Sequence, residues 1–144
     1  MASSLSHSVV LCPLDFSEDT ATIVSYAALL ACATGAELRL LHVCDSALLA
    51  VAQKAMGVLD EWHRQVLHMA PCGVSTTVRI GEAAAEIVAD SITHSARLIV
   101  MGAHGCTHYS HFLMGSTAEQ VLRTAPCATI VVDVHGTVPV GMPR

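Results

Sequence analysis

The residues that could do chemistry lie in the second half of the chain. An apolar run, Leu98-Ile99-Val100-Met101, stops at Gly102-Ala103-His104-Gly105, and after nine intervening residues Gly115-Ser116-Thr117 opens a predicted helix. Glycine lets backbone N–H groups approach an anion closely, and a helix N-terminus adds unpaired donors and a favourable dipole. The combination reads as a phosphate cradle and points to nucleotide binding. Asp15, which ends the first apolar run, is a carboxylate that can accept from ribose hydroxyls. A competing reading needs no ligand. Ser116-x-x-Glu119 is also a capping box, Asp15 could serve a plain turn, and Gly102 could simply terminate a strand.

His104, Cys106, His108 and His111 place four N and S donors within eight residues. That set suits a zinc-like ion, but its spacing matches no strong zinc signature. His42 lies inside a predicted strand and reads as a hydrogen-bonded structural residue, while His63 and His68 read as surface positions. Signatures of turnover are missing: there is no G-x-x-x-x-G-K-[ST], no G-x-S-x-G, no H-E-x-x-H and no G-x-G-x-x-G. Binding is therefore expected ahead of catalysis, with slow nucleotide hydrolysis as the upper limit.

The chain has 144 residues, enough for one domain with a real core. Hydrophobic residues make up 53% and charged residues 13%, which separates it from disordered chains. A formal charge of -5 argues against nucleic acid or an anionic membrane as partner. The first Lys or Arg is Arg39, so neither a secretory signal nor an Arg-rich transit peptide is expected, and no apolar stretch approaches the ~20 residues of a membrane span. A soluble cytoplasmic protein follows as the expectation. The six cysteines form no C-x-x-C pair and read as reduced, mostly buried thiols.

Five strands and four helices must position these residues. Strands are predicted at Ser8 to Leu14, Glu37 to Cys44, Val74 to Ile80, Arg97 to Met101 and Cys127 to Asp133. The first helix is predicted to be capped by Ser17, with Glu18 and Asp19 in its first turn, and to stop at Gly35. The others run from about Ser46 to Met69 (closed near Pro71), from Ala83 to about His94, and from Ser116 to Arg123. The domain is expected over 1–135, followed by an irregular tail at 136–144. Alternating strands and helices imply an α/β fold: a flavodoxin-like, Rossmann-like doubly wound parallel sheet, order 3-2-1-4-5, with helices on both faces. Ligands then bind beyond the strand carboxyl ends, where the winding reverses between strands one and four. Asp15 and Gly102 follow those two strands.

The chain resembles the universal stress protein family, specifically its ATP-binding branch. The family pattern G-x-x-G, nine residues, G-[S/T] is met by Gly102, Gly105, Gly115 and Ser116. Further likeness lies in Pro13-Leu14-Asp15-Phe16-Ser17, Leu41-His42-Val43, and Ala125-Pro126-Cys127 through Val131-Val132. The resemblance implies that Pro13, Leu14 and Asp15 hold the adenine-ribose end, with Val43 offering backbone groups to the base. Met101, Gly102, His104 and Gly105 would wrap the ribose and phosphates, and Gly115, Ser116 and Thr117 the phosphate chain. It implies ATP or another adenine nucleotide, with Mg as a charge partner, and a stress-response regulator acting through nucleotide-dependent surfaces. A homodimer through the fifth strand (Thr129, Ile130, Val131, Val132) also follows, because an exposed apolar edge invites pairing. Two alternatives stand beside this: a slow nucleotide-hydrolysing or adenylyl-transferring enzyme, and a stress protein that binds no ATP and uses the His/Cys loop for metal or thiol sensing. Two departures from the family are visible. No Lys or Arg occurs between Arg97 and Arg123, and Arg97 stands where the family often carries Asp.

Overall fold

The computed structural model describes residues 8–70, 72–104 and 114–134. Gly105, Cys106, His108, His111, Pro71 and the predicted tail at 136–144 lie outside the described residues. The elements run β1 (Val9–Pro13), α1 (Thr20–Thr34), β2 (Glu37–Cys44), α2 (Leu49–Met69), β3 (Val74–Ile80), α3 (Ala83–Thr93), β4 (Ala96–Gly102), α4 (Ser116–Thr124) and β5 (Ala128–Val132). The strands form one parallel sheet in the order β3-β2-β1-β4-β5, as predicted.

Alternation along the central strands sorts the core into two layers. Val10, Cys12, Leu38 and Leu40 face α1 and α2, while Val9, Leu11, Leu41 and Ile99 face α3 and α4. Both faces are covered, which is why β1 reads as a continuous apolar run. Cys12 is fully enclosed, and burial pushes its thiol up to about 12, so it packs as a small apolar residue.

One charged cluster is built into the α3 layer. Arg39 on β2 and Arg79 on β3 point toward α3, where Asp90 has no solvent exposure. Arg39 binds Asp90 through Nε at 2.8 Å and Nη2 at 3.1 Å; Arg79 reaches Asp90 at 3.2 Å and Glu86 at 2.8 Å. Burial alone would raise the Asp90 carboxyl, but its hydrogen bonds and attraction to Arg39, with His94 and Arg79 adding to it, hold it below the usual value.

Several predicted boundaries are corrected. α1 starts at Thr20, not at Ser17, and no acid lies in its first turn. Ser17 serves an earlier turn: its hydroxyl accepts from Asp19 N at 3.3 Å, and its carbonyl accepts from Thr20 N and Thr20 Oγ1. α1 does end at Gly35, which adopts φ 68°, with Ala36 N donating to Ala31 O at 2.8 Å. α2 starts at Leu49, because Ser46 Oγ accepts from Leu48 N in a turn before it. The capping box at Ser116 is not formed: Gly115 is the N-cap of α4 and Ser116 lies inside the helix.

Candidate functional site

The carboxyl ends of the strands open into a crevice of about 740 Å³, within the range of small-molecule sites. Its walls come from four separated chain segments. Pro13, Leu14 and Asp15 follow β1; Val43 closes β2; Met101, Gly102 and His104 end β4; Gly115, Ser116 and Thr117 open α4. Every predicted binding residue within the described set therefore lines this one space, and Gly105 alone falls outside that set.

Backbone hydrogen bonds explain the convergence. Leu14 N donates to Leu41 O at 2.7 Å, carrying the β1–β2 ladder past Pro13, which has no N–H of its own. Ala103 N donates to Val132 O at 2.9 Å, and Gly115 N donates to Ala103 O at 2.7 Å. The last bond draws the start of α4 against the end of β4, so the two halves of the glycine pattern meet. Gly115 sits at φ -66° and ψ 153°, and as the N-cap residue it brings no side chain of its own to the first donors of α4.

Around Asp15 the chain is held in a tight hook. Asp15 Oδ1 accepts from Ser17 N at 3.0 Å. Phe16 between them takes φ 62°, a conformation that costs a bulky residue energy. Its ring stacks on His42 with centroids 4.1 Å apart and planes at 16°. His42 Nδ1 lies 2.7 Å from Leu14 O; a carbonyl only accepts, so Nδ1 carries the proton. The sequence reading of His42 as a hydrogen-bonded structural residue matches this geometry. His104 is buried, with Nε2 3.7 Å from Asp133 Oδ1, which links the end of β4 to the residue after β5. Gly102 also has a packing reason: a Cβ there would lie 2.7 Å from Cδ1 of Ile23 on α1.

The second wall was not read from the sequence. Cys44, Asp45, Gly81 and Glu82 line the same crevice from the ends of β2 and β3, with Val51 from α2 and Ile87 from α3. Glu82 caps α3, its carboxylate accepting from Ala85 N at 2.9 Å and Ala84 N at 3.4 Å. Gly81 takes φ 151°, and a Cβ there would meet Glu86 Oε2 at 2.7 Å. The signal that could have found this wall is topological: in a parallel sheet of this order, every strand-to-helix loop opens at the same end. Cys44 is no nucleophile here, because burial and the neighbouring Asp45 carboxylate push its thiol up.

Among the described residues no group of three or more His, Cys, Asp or Glu is placed to hold a metal ion, and no helix is long and apolar enough to cross a membrane. Comparison with solved structures gives the same architecture repeatedly. The universal stress protein UspA from Lactobacillus plantarum superposes with TM-score 0.78 at 25% identity, covering 90% of this chain and 99% of that one. A universal stress protein in complex with cAMP gives 0.74 at 19% identity, covering 89% and 98%. The universal stress protein from Archaeoglobus fulgidus in complex with dAMP gives 0.70 at 18% identity, covering 87% and 96%. A search of curated protein sequences returned no match. The profile of the universal stress protein family matches residues 7–133, nearly the whole chain, and the protein belongs to that family.

Proposed function

We propose that this chain is an adenine-nucleotide-binding regulatory module whose ligand lies in the crevice between β1 and β4. One observation carries the reading: residues from four chain segments, picked from the sequence as nucleotide contacts, line a single open cavity of about 740 Å³. The donor set fits such a ligand. The N-terminus of α4 suits a phosphate, the Asp15 carboxylate suits ribose hydroxyls, and the end of β2 presents backbone to a base. Relatives of the same fold bound to cAMP and dAMP support an adenine compound. ATP falls within this class, with Mg2+ offsetting its charge.

Binding, not turnover, is the activity proposed. No Lys or Arg among the described residues lines the crevice to stabilise a departing phosphate, and the Cys44 thiol stays protonated. The output is assigned to β5, an edge strand whose Ile130 is 40% exposed and which ends one residue before Asp133, the neighbour of His104. A second copy pairing along Thr129–Val132 would sense the crevice through that link.

The test is Gly115→Val. The φ and ψ of Gly115 admit valine without backbone strain, and an unchanged circular dichroism spectrum and Tm will show the fold kept while backbone approach to a phosphate is blocked. Calorimetry should show AMP binding falling by about tenfold or more, with adenosine less affected. Unchanged AMP affinity rejects the phosphate assignment. ATP turnover at ~1 per second or faster would replace the binding module with an enzyme.

A further inference from the structure

We propose that the crevice takes adenine ligands bearing at most one phosphate in preference to the di- and triphosphates. This rests on the adenine reading above and concerns charge. A terminal phosphate carries about two negative charges near neutral pH, and each bridging phosphate adds another. The described wall supplies three carboxylates, Asp15, Asp45 and Glu82, and neither Lys nor Arg.

The described Lys and Arg residues lie away from the crevice wall. Arg39 and Arg79 hold Asp90 and Glu86, and Arg64 pairs with Glu61. Arg97 reaches Ser8 at the opposite end of the sheet, and Arg123 sits in the last turn of α4, away from Gly115. Lys54 is exposed on α2 and is not part of the wall; Arg144 lies outside the described residues. Residues 98–122 contain no Lys or Arg at all, so the segment between Gly102 and Gly115 brings none.

First-turn residues of α2, α3 and α4 line the crevice, and the α3 and α4 N-termini are not equivalent. That of α3 is taken by its own Glu82, whose carboxylate occupies the donors an anion would use. That of α4, headed by Gly115, receives no side-chain cap from its N-cap residue and offers roughly half a positive charge. One such terminus suits one phosphate. A chain of three would place its remaining charge in a wall that is net negative.

Calorimetry of the full chain with adenosine, cAMP, AMP, ADP and ATP, in low-salt buffer with EDTA, tests this. AMP should bind about tenfold or more tightly than ATP, since each added like charge near a carboxylate weakens binding about two- to threefold at ~8 Å in water. The AMP-to-ATP ratio should shrink as NaCl rises from about 20 to about 500 mM, because salt screens the repulsion. The double variant Asp45→Asn/Glu82→Gln should shrink it by about threefold or more at low salt. Magnesium-free ATP binding as tightly as AMP overturns the proposal, as does ATP affinity that falls steeply with salt in the manner of a cationic site. Binding of none of the five ligands removes the adenine reading and this proposal together.

Discussion

Replacing Asp90 with Asn probes what holds the second wall of the crevice in place. Asp90 has no solvent exposure, and its two oxygens receive three guanidinium bonds, two from Arg39 and one from Arg79. Asparagine keeps the shape but removes the charge. Arg79 retains Glu86 at 2.8 Å, so it is not stranded. Arg39, only 13% exposed, is left as a buried cation without its counter-ion. Breaking a buried pair from one side costs about 3–5 kcal/mol, and the surviving Arg79–Glu86 pair places this case near the lower end, ~3 kcal/mol. For a chain of this size that corresponds to a fall in Tm of about 6–12 °C.

The pH dependence gives the argument its second arm. The folded-state carboxyl of Asp90 is held below its usual value, because Arg39 outweighs the opposing effect of burial. Its contribution is therefore complete above the unfolded carboxylate value near ~4 and disappears as pH falls through the lower folded value. Urea unfolding of wild type and Asp90→Asn should show a full gap between about pH 8 and pH 5 that closes in stronger acid. A gap under about 1 kcal/mol at pH 7, or one that persists unchanged at pH 3, refutes the reasoning. The double variant Arg39→Met/Asp90→Leu should recover most of the loss, because an apolar pair of similar volume removes the stranded charge.

Gly81→Ala should destabilise by about 1–3 kcal/mol, since its φ of 151° is strained for alanine and the new methyl would meet Glu86 Oε2. Thermal unfolding at wild-type Tm would show that this turn does not depend on glycine. Ile130→Lys tests the pairing proposed along β5: a wild-type dimer in sedimentation should give way to monomer with no loss of monomer stability, because Ile130 is already 40% exposed on the edge strand. A mass the same as wild type would reject pairing through β5.

Sheet order and strand positions were legible because their signals do not compete. Glu37–Cys44 and Val74–Ile80 are strand-forming runs bounded by Gly35, Gly73 and Gly81, and the structure gives those bounds. Helix starts were less legible because Ser and Asp side chains cap turns and helices with the same bonds. Ser17 is the instance: its hydroxyl and carbonyl both close a turn one step before α1 begins. Phe16 carries no mark of a left-handed residue, since its conformation is enforced by the stack on His42 and by the Asp15–Ser17 bond. Asp90 did leave a trace: Ala84, Ile87 and Ser91 define a buried stripe on α3, and a carboxylate on that stripe requires a cation from the strands beneath. The alternation Arg39, Leu41, Val43 names it.

The candidate site divides along the same line. The glycine pattern marks where an anion can approach backbone, because that property is local to a strand end and a helix start. How much negative charge the crevice tolerates is set by residues the pattern does not contain. Glu82 illustrates this, since its carboxylate both caps α3 and occupies backbone donors beside the crevice. Its position is secured through Gly81, whose N–H donates to Cys44 O at 2.9 Å and whose bare α-carbon leaves room for Glu86 to reach Arg79. Arg79 binds Asp90 in turn. The buried ion-pair cluster and the Glu82 carboxylate at the crevice wall are thus joined in one connected chain of contacts, so the charge preference proposed above depends on residues outside the glycine pattern.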